Sequence, residues 1–284
     1  MEPSRSNLIS TKLQRPRLTS DHIPRPRLFT LFDRQRRLTL VSAPAGYGKS
    51  TLVSSWLETL DCPTIWLSLD ENDDDLAGFL SYFTAAIQTE FPDIGGNTLA
   101  MLNSAKTPLL QWIASSLINE LVRIEQAYVL VLDDYHLIQE KHVHDLVARI
   151  LHQPPQTLHL VLASRIDPPL ALSSLRARSQ VMEIRAHDLR FNRSETGDLV
   201  KSLLGITIDQ STASSLEARS EGWVTGLRLA ALSRQHLGDA DPLLDDIRVN
   251  NRYVTDYMMS AVFSLQEPDV QQWLIHTSIL DRFR

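Results

Sequence analysis

Five short apolar runs punctuate the first two thirds of the chain, separated by longer stretches whose apolar residues recur at helical spacing. The runs are Leu38–Val41, Thr64–Leu69, Tyr128–Asp134, Leu158–Ser164 and Gln180–Ile184. Rich in Val, Ile, Leu and aromatics, they read as strands buried on both faces. Parallel neighbours require a crossover of a dozen or more residues, and the intervening segments are long enough to supply one. The pattern predicts an α/β fold, a five-stranded parallel sheet between helices. Within the long interval from Asp70 to Gln126, helices are expected over Ala77–Thr89 and Leu109–Ile124, joined through the Pro92–Gly96 turn.

Between the first run and the helix that follows it lies SAPAGYGKST, Ser42 to Thr51. Gly46 and Gly48 would each cost a helix about 1 kcal/mol relative to Ala, so their place at a strand-to-helix turn needs another reason. A nucleotide triphosphate presents several anionic oxygens, and a ring of backbone N–H groups at a helix N-terminus meets them. The stretch Ala43, Pro44, Ala45, Gly46, Tyr47, Gly48, Lys49, Ser50 and Thr51 fits this role. Gly46 to Ser50 would form the cradle, Lys49 would reach the β- and γ-phosphates, and Ser50 would ligate Mg2+. Ala43 stands where the stricter pattern has its first Gly.

Such a site needs a carboxylate at the end of an apolar strand, and Val129-Leu-Val-Leu-Asp133-Asp134 ends in two. Taken alone the run also reads as a strand entering an acidic turn. Beside a phosphate loop, Asp133 is expected to hold the metal through water and Asp134 to polarise an attacking water. Arg165, after the run that ends Ala163-Ser164, is either an ordinary surface arginine or a reporter of the γ-phosphate.

Other clusters read as structural. The acidic run Asp70–Asp75 lacks the central Gly and terminal Glu of an EF-hand and is expected to be a solvated loop capping the next helix. His136, His142 and His144 fit no zinc spacing and are expected on a helix surface, with His136 near the nucleotide edge. The five Trp residues are expected in the core. Cys62, the single cysteine, forms no internal disulfide and is expected to pack before the second strand.

The first 37 residues are basic and proline-punctuated, with Arg-Pro-Arg at 15–17 and 25–27. They read as an extended lead-in, either a solvated tail or a strap onto nucleotide. From Phe191 onward strand-like runs disappear. Helical segments are expected near Glu195–Leu204, Thr212–Arg219, Thr225–His236, Tyr253–Phe263 and Asp269–Thr277, broken at Asp239–Pro242. The boundaries drawn are a lead-in over 1–37, a nucleotide-binding domain over 38–190, a helical domain over 191–240 and a further helical piece over 241–284. The last is expected to be incomplete.

A formal charge of -6 argues against a whole-domain nucleic-acid footprint. No apolar tract reaches the length of a membrane span and no signal peptide is evident, so a cytoplasmic location without membrane partners is expected.

The sequence resembles the signal-transducing NTPases with numerous domains, and within them the MalT-like large ATP-binding regulators of the LuxR family. The resemblance rests on TKLQRPR, IPRPRLFTLFD, SAPAGYGKSTLVSSWL, WLSLDENDDD, VLVLDDYHLI, LVLASRIDPPL, LRARSQVMEIRAHDLRF, EGWVTGLRLAAL and WLIHTSILDRF, in that order. It implies that residues 241–284 begin a winged-helix domain. It also implies that Arg25 and Arg27 lie near the purine and ribose and that Gly222 and Trp223 face the nucleotide. Val224 stands where many relatives have Pro. The implied function is a switch: ADP holds a closed monomer, ATP with a small-molecule inducer opens it for self-association, and slow hydrolysis resets it. Inducer binding and a DNA-binding helix-turn-helix are implied for C-terminal regions beyond residue 284. The alternatives are a P-loop phosphotransferase or simple ATPase acting on a small acceptor, with Leu172–Arg178 as its lid, and a non-hydrolysing scaffold.

Overall fold

Each of the five apolar runs is a strand, and all five lie in one parallel sheet ordered β2-β3-β4-β1-β5. The computed structural model describes residues 8–104, 109–237 and 252–278. The chain forms two units. The first takes in the described residues through 19 together with 24–44 and 49–189; the second takes in 20–23, 45–48 and the described residues from 190 onward.

The first unit begins with 3-10 turns at Ser10–Leu13 and Pro26–Leu31. It continues through β1 (Leu38–Ser42), α1 (Lys49–Leu57), β2 (Thr64–Ser68), α2 (Leu76–Glu90), α3 (Gly96–Leu102), α4 (Leu110–Val122) and β3 (Tyr128–Asp133). Then come α5 (Lys141–His152), β4 (Leu158–Ser164), α6 (Leu172–Ala177), β5 (Val181–Arg185) and the short α7 (Ala186–Leu189). Every residue of β1, β3 and β4 is buried, as a sheet covered on both faces requires. From β1 the chain crosses to β2 at the far edge, returns through β3 and β4, and then places β5 on the other side of β1. Such a reversal of direction opens a crevice at the carboxyl ends of the strands.

The helices begin where the sequence supplies caps. Asp75 accepts from the backbone N–H groups of Ala77 and Gly78 at the start of α2, which satisfies donors that the helix leaves unpaired. Phe79, Leu80, Phe83, Ala86 and Ile87 on α2 pack into one cluster with Ile65, Leu67, Leu130 and Leu132 of the strands. Fully burying each of the Phe, Leu and Ile side chains contributes roughly 1.5–3 kcal/mol.

Several expectations are corrected by the fold. The lead-in is not a uniformly extended segment, because its two 3-10 turns are fastened to the domain. Lys12 is buried and bonds Asp73 at 2.5 Å and Asp70 at 3.1 Å, while Ser54 donates to the Pro16 carbonyl at 2.7 Å. For the same reason Asp73 is fully buried rather than solvated: it receives Lys12 and also accepts from the Asp70 N–H, closing a capping box. The helix α3 was not expected. Its N-terminal Gly95, Asn97 and Thr98 N–H groups converge on the buried Glu120 carboxylate of α4, a long-range partner that local pattern does not reveal. Trp56 and Trp66 are core residues, Trp56 stacking on Phe32 at 4.2 Å, but Trp112 and Trp273 are exposed. His144 is buried and bonded to Tyr135 rather than on a surface, and Cys62 is only half-buried.

The second unit contains α8 (Arg193–Leu204), α9 (Gln210–Ser220), α10 (Val224–Leu237), α11 (Arg252–Ala261) and α12 (Pro268–Thr277). Asn192 and Glu195 form a reciprocal capping box that starts α8, and Asp209 caps α9. Phe191, Leu199, Val200, Leu216 and Leu227 form its core, with Val224 packed against them. No residue of α11 or α12 is buried. The expected break at Asp239–Pro242 and the end at Leu280–Arg284 lie outside the described residues. Among the described residues no helix is long and apolar enough to cross a membrane.

Candidate functional site

The strand order sets β3, β4 and β1 side by side, so their carboxyl ends bring together residues far apart in sequence. Asp133 ends β3, Arg165 follows β4, and the glycine-rich loop follows β1. Gly46 and Gly48 have φ of 80° and 73°, backbone angles at which an L side chain is strained, so these two positions require glycine. Lys49 and Ser50 open α1, where the unpaired N–H groups and the helix dipole favour an anion.

Lys49 is 7% exposed, and its ammonium donates to the carbonyls of Ala43 at 2.9 Å and Pro44 at 3.2 Å. Burial pushes its pKa below the usual lysine value; nearby Asp134 opposes this and Arg165 adds to it. The lysine is thus held at the loop as a point charge whose present acceptors are neutral carbonyls. A phosphate oxygen is a stronger acceptor for it.

Asp133 is 3% exposed. Its Oδ1 accepts from the Ser50 hydroxyl at 3.0 Å and from the Asp134 N–H at 3.0 Å. Burial first, and then the neighbouring Asp134 charge, raise its pKa to about 6 despite these bonds. The Lys49 charge offsets this only in part, and an adjacent hydroxyl completes an oxygen donor pair of the kind a hard divalent cation takes. The Ser50 and Asp133 pair therefore fits the metal position expected of it. Asp134 adopts a left-handed φ of 55°, and its side chain remains 43% exposed. Arg165 is half-buried, and its charge bears on both Lys49 and His136.

The two lead-in arginines are anchored at one corner of the first unit. Arg25 is buried and donates to the Leu189 carbonyl at 3.1 Å; Arg27 is exposed and donates to the Asp188 carbonyl at 3.1 Å. Both therefore bind the 3-10 turn Pro26–Leu31 to α7. In the second unit, Trp223 Nε1 donates to the Ala45 carbonyl at 3.2 Å. Thr225 donates to the Gly46 carbonyl from its hydroxyl at 2.9 Å and from its backbone N–H at 3.2 Å. A Cβ at Gly46 would lie 2.7 Å from both Trp223 Nε1 and Thr225 Oγ1. Gly222, at φ 66°, leaves no room for a side chain beside the Phe191 carbonyl. Thr225 was not anticipated: a threonine in the first turn of a helix carries no sequence signal for such a bond.

Arg176, one of the two arginines of the supposed acceptor lid, is tied to Asp167 at 3.2 Å and Glu183 at 2.7 Å. Among the described residues no group of three His, Cys, Asp or Glu is arranged to hold a metal by itself.

Residues 33–167 match the AAA domain family. Over 280 residues, 97% of the chain, the sequence is 31% identical to the HTH-type transcriptional regulator MalT of Vibrio parahaemolyticus, covering 31% of that protein. It is 33% identical over 278 residues, 96% of the chain, to the MalT of Yersinia pestis, again covering 31% of the relative. The chain thus spans about a third of the length of these curated relatives. Among solved structures, a Walker-type ATPase of Pyrococcus abyssi superposes with a TM-score of 0.53 at 12% identity, covering 89% of this chain and 76% of that one. Cdc6p of Pyrobaculum aerophilum gives 0.50 at 11% identity, covering 81% and 66%. At such identities the likeness speaks for the fold, and the fold is that of a P-loop NTPase.

Proposed function

We propose that this chain, a P-loop NTPase module similar over nearly all its length to part of the MalT regulators, is an ATP/ADP-operated switch within a transcriptional regulator. The observation that carries this reading is the grouping of Lys49, Ser50, Asp133 and Arg165 at one sheet edge, with the Ser50 hydroxyl 3.0 Å from the buried Asp133 carboxylate. Lys49 and the loop N–H groups bind the phosphates. Ser50 and Asp133 would hold Mg2+, which supplies charge neutralisation at the β- and γ-phosphates. Asp134, at the exposed lip, orients a water toward the terminal phosphate, and Arg165 registers whether that phosphate is present.

A switch needs two states with different affinities for ATP and ADP, and the γ-phosphate is the physical difference between the ligands. Residues 191–240 are read as a helical domain and 241–284 as the start of a winged-helix domain. Arg25, Arg27, Gly222 and Trp223 are assigned to the nucleoside side of the site. Self-association in the ATP state, inducer binding and DNA contact complete the reading, the last two through parts of the relatives that this chain does not match. Slow hydrolysis resets the switch in the cytoplasm. The bonds that occupy Arg176 weigh against the phosphotransferase alternative.

The test is the nucleotide carried by the purified protein. ADP retained through dialysis, with ATP promoting a larger species in light scattering, supports the switch. Rapid exchange with fast turnover points to a simple ATPase. Lys49→Ala is expected to weaken ATP binding by about 100-fold, the loss of a charge-assisted phosphate contact; unchanged affinity would refute the site.

A further inference from the structure

His136 lies on the 3-10 turn Tyr135–Leu137, three residues past the buried Asp133. Its side chain is only 11% exposed. The ring nitrogen Nδ1 is sealed from solvent and has no hydrogen-bond partner. The nearest carboxylate oxygen is Oδ1 of Asp134, at 3.9 Å, too long for a hydrogen bond. Asp134, at 3.9 Å, and the more distant Arg165 and Lys49 all bear on the ring electrostatically, so it lies among the charges of the candidate phosphate site. Burial, reinforced by the Arg165 and Lys49 charges and opposed by Asp134, pushes its pKa down to about 4 and keeps it neutral.

A neutral imidazole carries a single N–H, and the tautomer is chosen by the partner on offer. A dry, unpaired ring nitrogen is destabilising, which makes a state that satisfies it favourable. Asp134 is the group placed to do so. Its left-handed backbone fixes where its Cβ projects, and rotation of the side chain is what remains to close the gap. With the lip open to water, the Asp134 carboxylate is hydrated. Phosphates in the loop displace that water, and a charge-assisted bond strengthens as the surroundings become less polar. Bonds of this kind are often long in the empty site and tighten on ligand binding.

We propose that His136 is a positioning residue for Asp134: when nucleotide occupies the loop, its Nδ1–H closes on one carboxylate oxygen and aims the other at the attacking water. This rests on the nucleotide-binding reading of the site. His136 moves no proton itself. It selects one Asp134 rotamer from several, so its removal lowers the hydrolysis rate without weakening ATP binding.

The experiment uses the full chain labelled with 15N-histidine, with the His136 resonances assigned by their loss in His136→Asn. Adding Mg2+ and a non-hydrolysable ATP analogue is expected to move Nδ1 to the shift of a strongly hydrogen-bonded N–H. In single-turnover assays His136→Ala is expected to hydrolyse ATP about 10-fold more slowly or worse, part of the gain a positioned base provides. Its ATP affinity is expected to stay within about 2-fold of the parent, because the ring does not contact phosphate in this arrangement. His136→Asn, whose amide N–H replaces Nδ1–H, is expected to recover most of the rate. Ring resonances that do not move in the nucleotide complex, wild-type hydrolysis by His136→Ala, or an Asn variant as slow as the Ala variant would each overturn the assignment while leaving the binding site intact. A parent chain that binds no nucleotide would overturn both.

Discussion

Asp133→Asn separates the electrostatic cost of burying this carboxylate from its function. The Asp133 carboxyl has a pKa of about 6 against an ordinary 3.8. At about 1.4 kcal/mol per pH unit, this corresponds to roughly 3 kcal/mol of unfavourable free energy for the ionised group at neutral pH, as an upper figure. Between about pH 4 and about pH 6 the folded protein holds a proton that the unfolded chain has released. Stability of the nucleotide-free protein therefore falls as pH rises through that window. The asparagine oxygen still accepts from Ser50 and from the Asp134 N–H, so the local bonds persist. Urea denaturation at a series of pH values is the assay. The variant is expected to be more stable than the parent by about 1–3 kcal/mol near pH 7.5, and the two to converge near pH 4. With Mg2+ and ATP the ranking reverses, because a ligand at about 1,000 times its Kd stabilises the parent by about 4.1 kcal/mol and the variant far less. A variant less stable than the parent by the same amount at every pH would refute the reasoning, since it would mean that burial does not disfavour the Asp133 charge.

Glu120→Ala removes an acceptor of three backbone N–H groups and of the Thr98 hydroxyl at 2.6 Å. Stability in urea is expected to fall by about 3 kcal/mol or more, since each stranded buried donor costs about 1–3, with little change in nucleotide affinity. Gly46→Ala imposes about 1–2 kcal/mol of left-handed strain and drives a methyl against Trp223 and Thr225. Calorimetry is expected to register at least a tenfold loss of nucleotide affinity, the equivalent of about 1.4 kcal/mol.

The sheet and the phosphate loop were legible because both depend on local composition. Leu38–Val41 and Val129–Leu132 are apolar without alternation, which only a doubly covered strand tolerates. The two loop glycines occupy positive φ, a demand on backbone that no other residue meets at comparable cost. The helix α3 was not legible, because its start is held by Glu120, 22 residues after Thr98 in sequence. The burial of Asp73 was hidden for a similar reason: its partner Lys12 lies 61 residues away, in a segment that reads as a tail. Trp112 illustrates the reverse error, since an aromatic on an amphipathic helix was assigned to the core and stands 60% exposed.

For the candidate site, residue types and spacing pointed to Lys49, Ser50 and Asp133 as candidates and left Arg165 open, because the chemistry of phosphate and metal restricts each position to a few side chains. What the letters left open was which of these groups share one edge, how deeply each is buried, and what each touches in the absence of ligand. Those answers come from strand order. Placing β4 between β3 and β1 brings the Arg165 turn beside the end of β3, where Asp133 is buried against Ser50 and His136 lies 3.9 Å from Asp134. Local pattern determines which segments become strands and turns; burial, charge coupling and long-range partners arise only when the whole chain has packed, because they depend on distances that sequence separation does not encode.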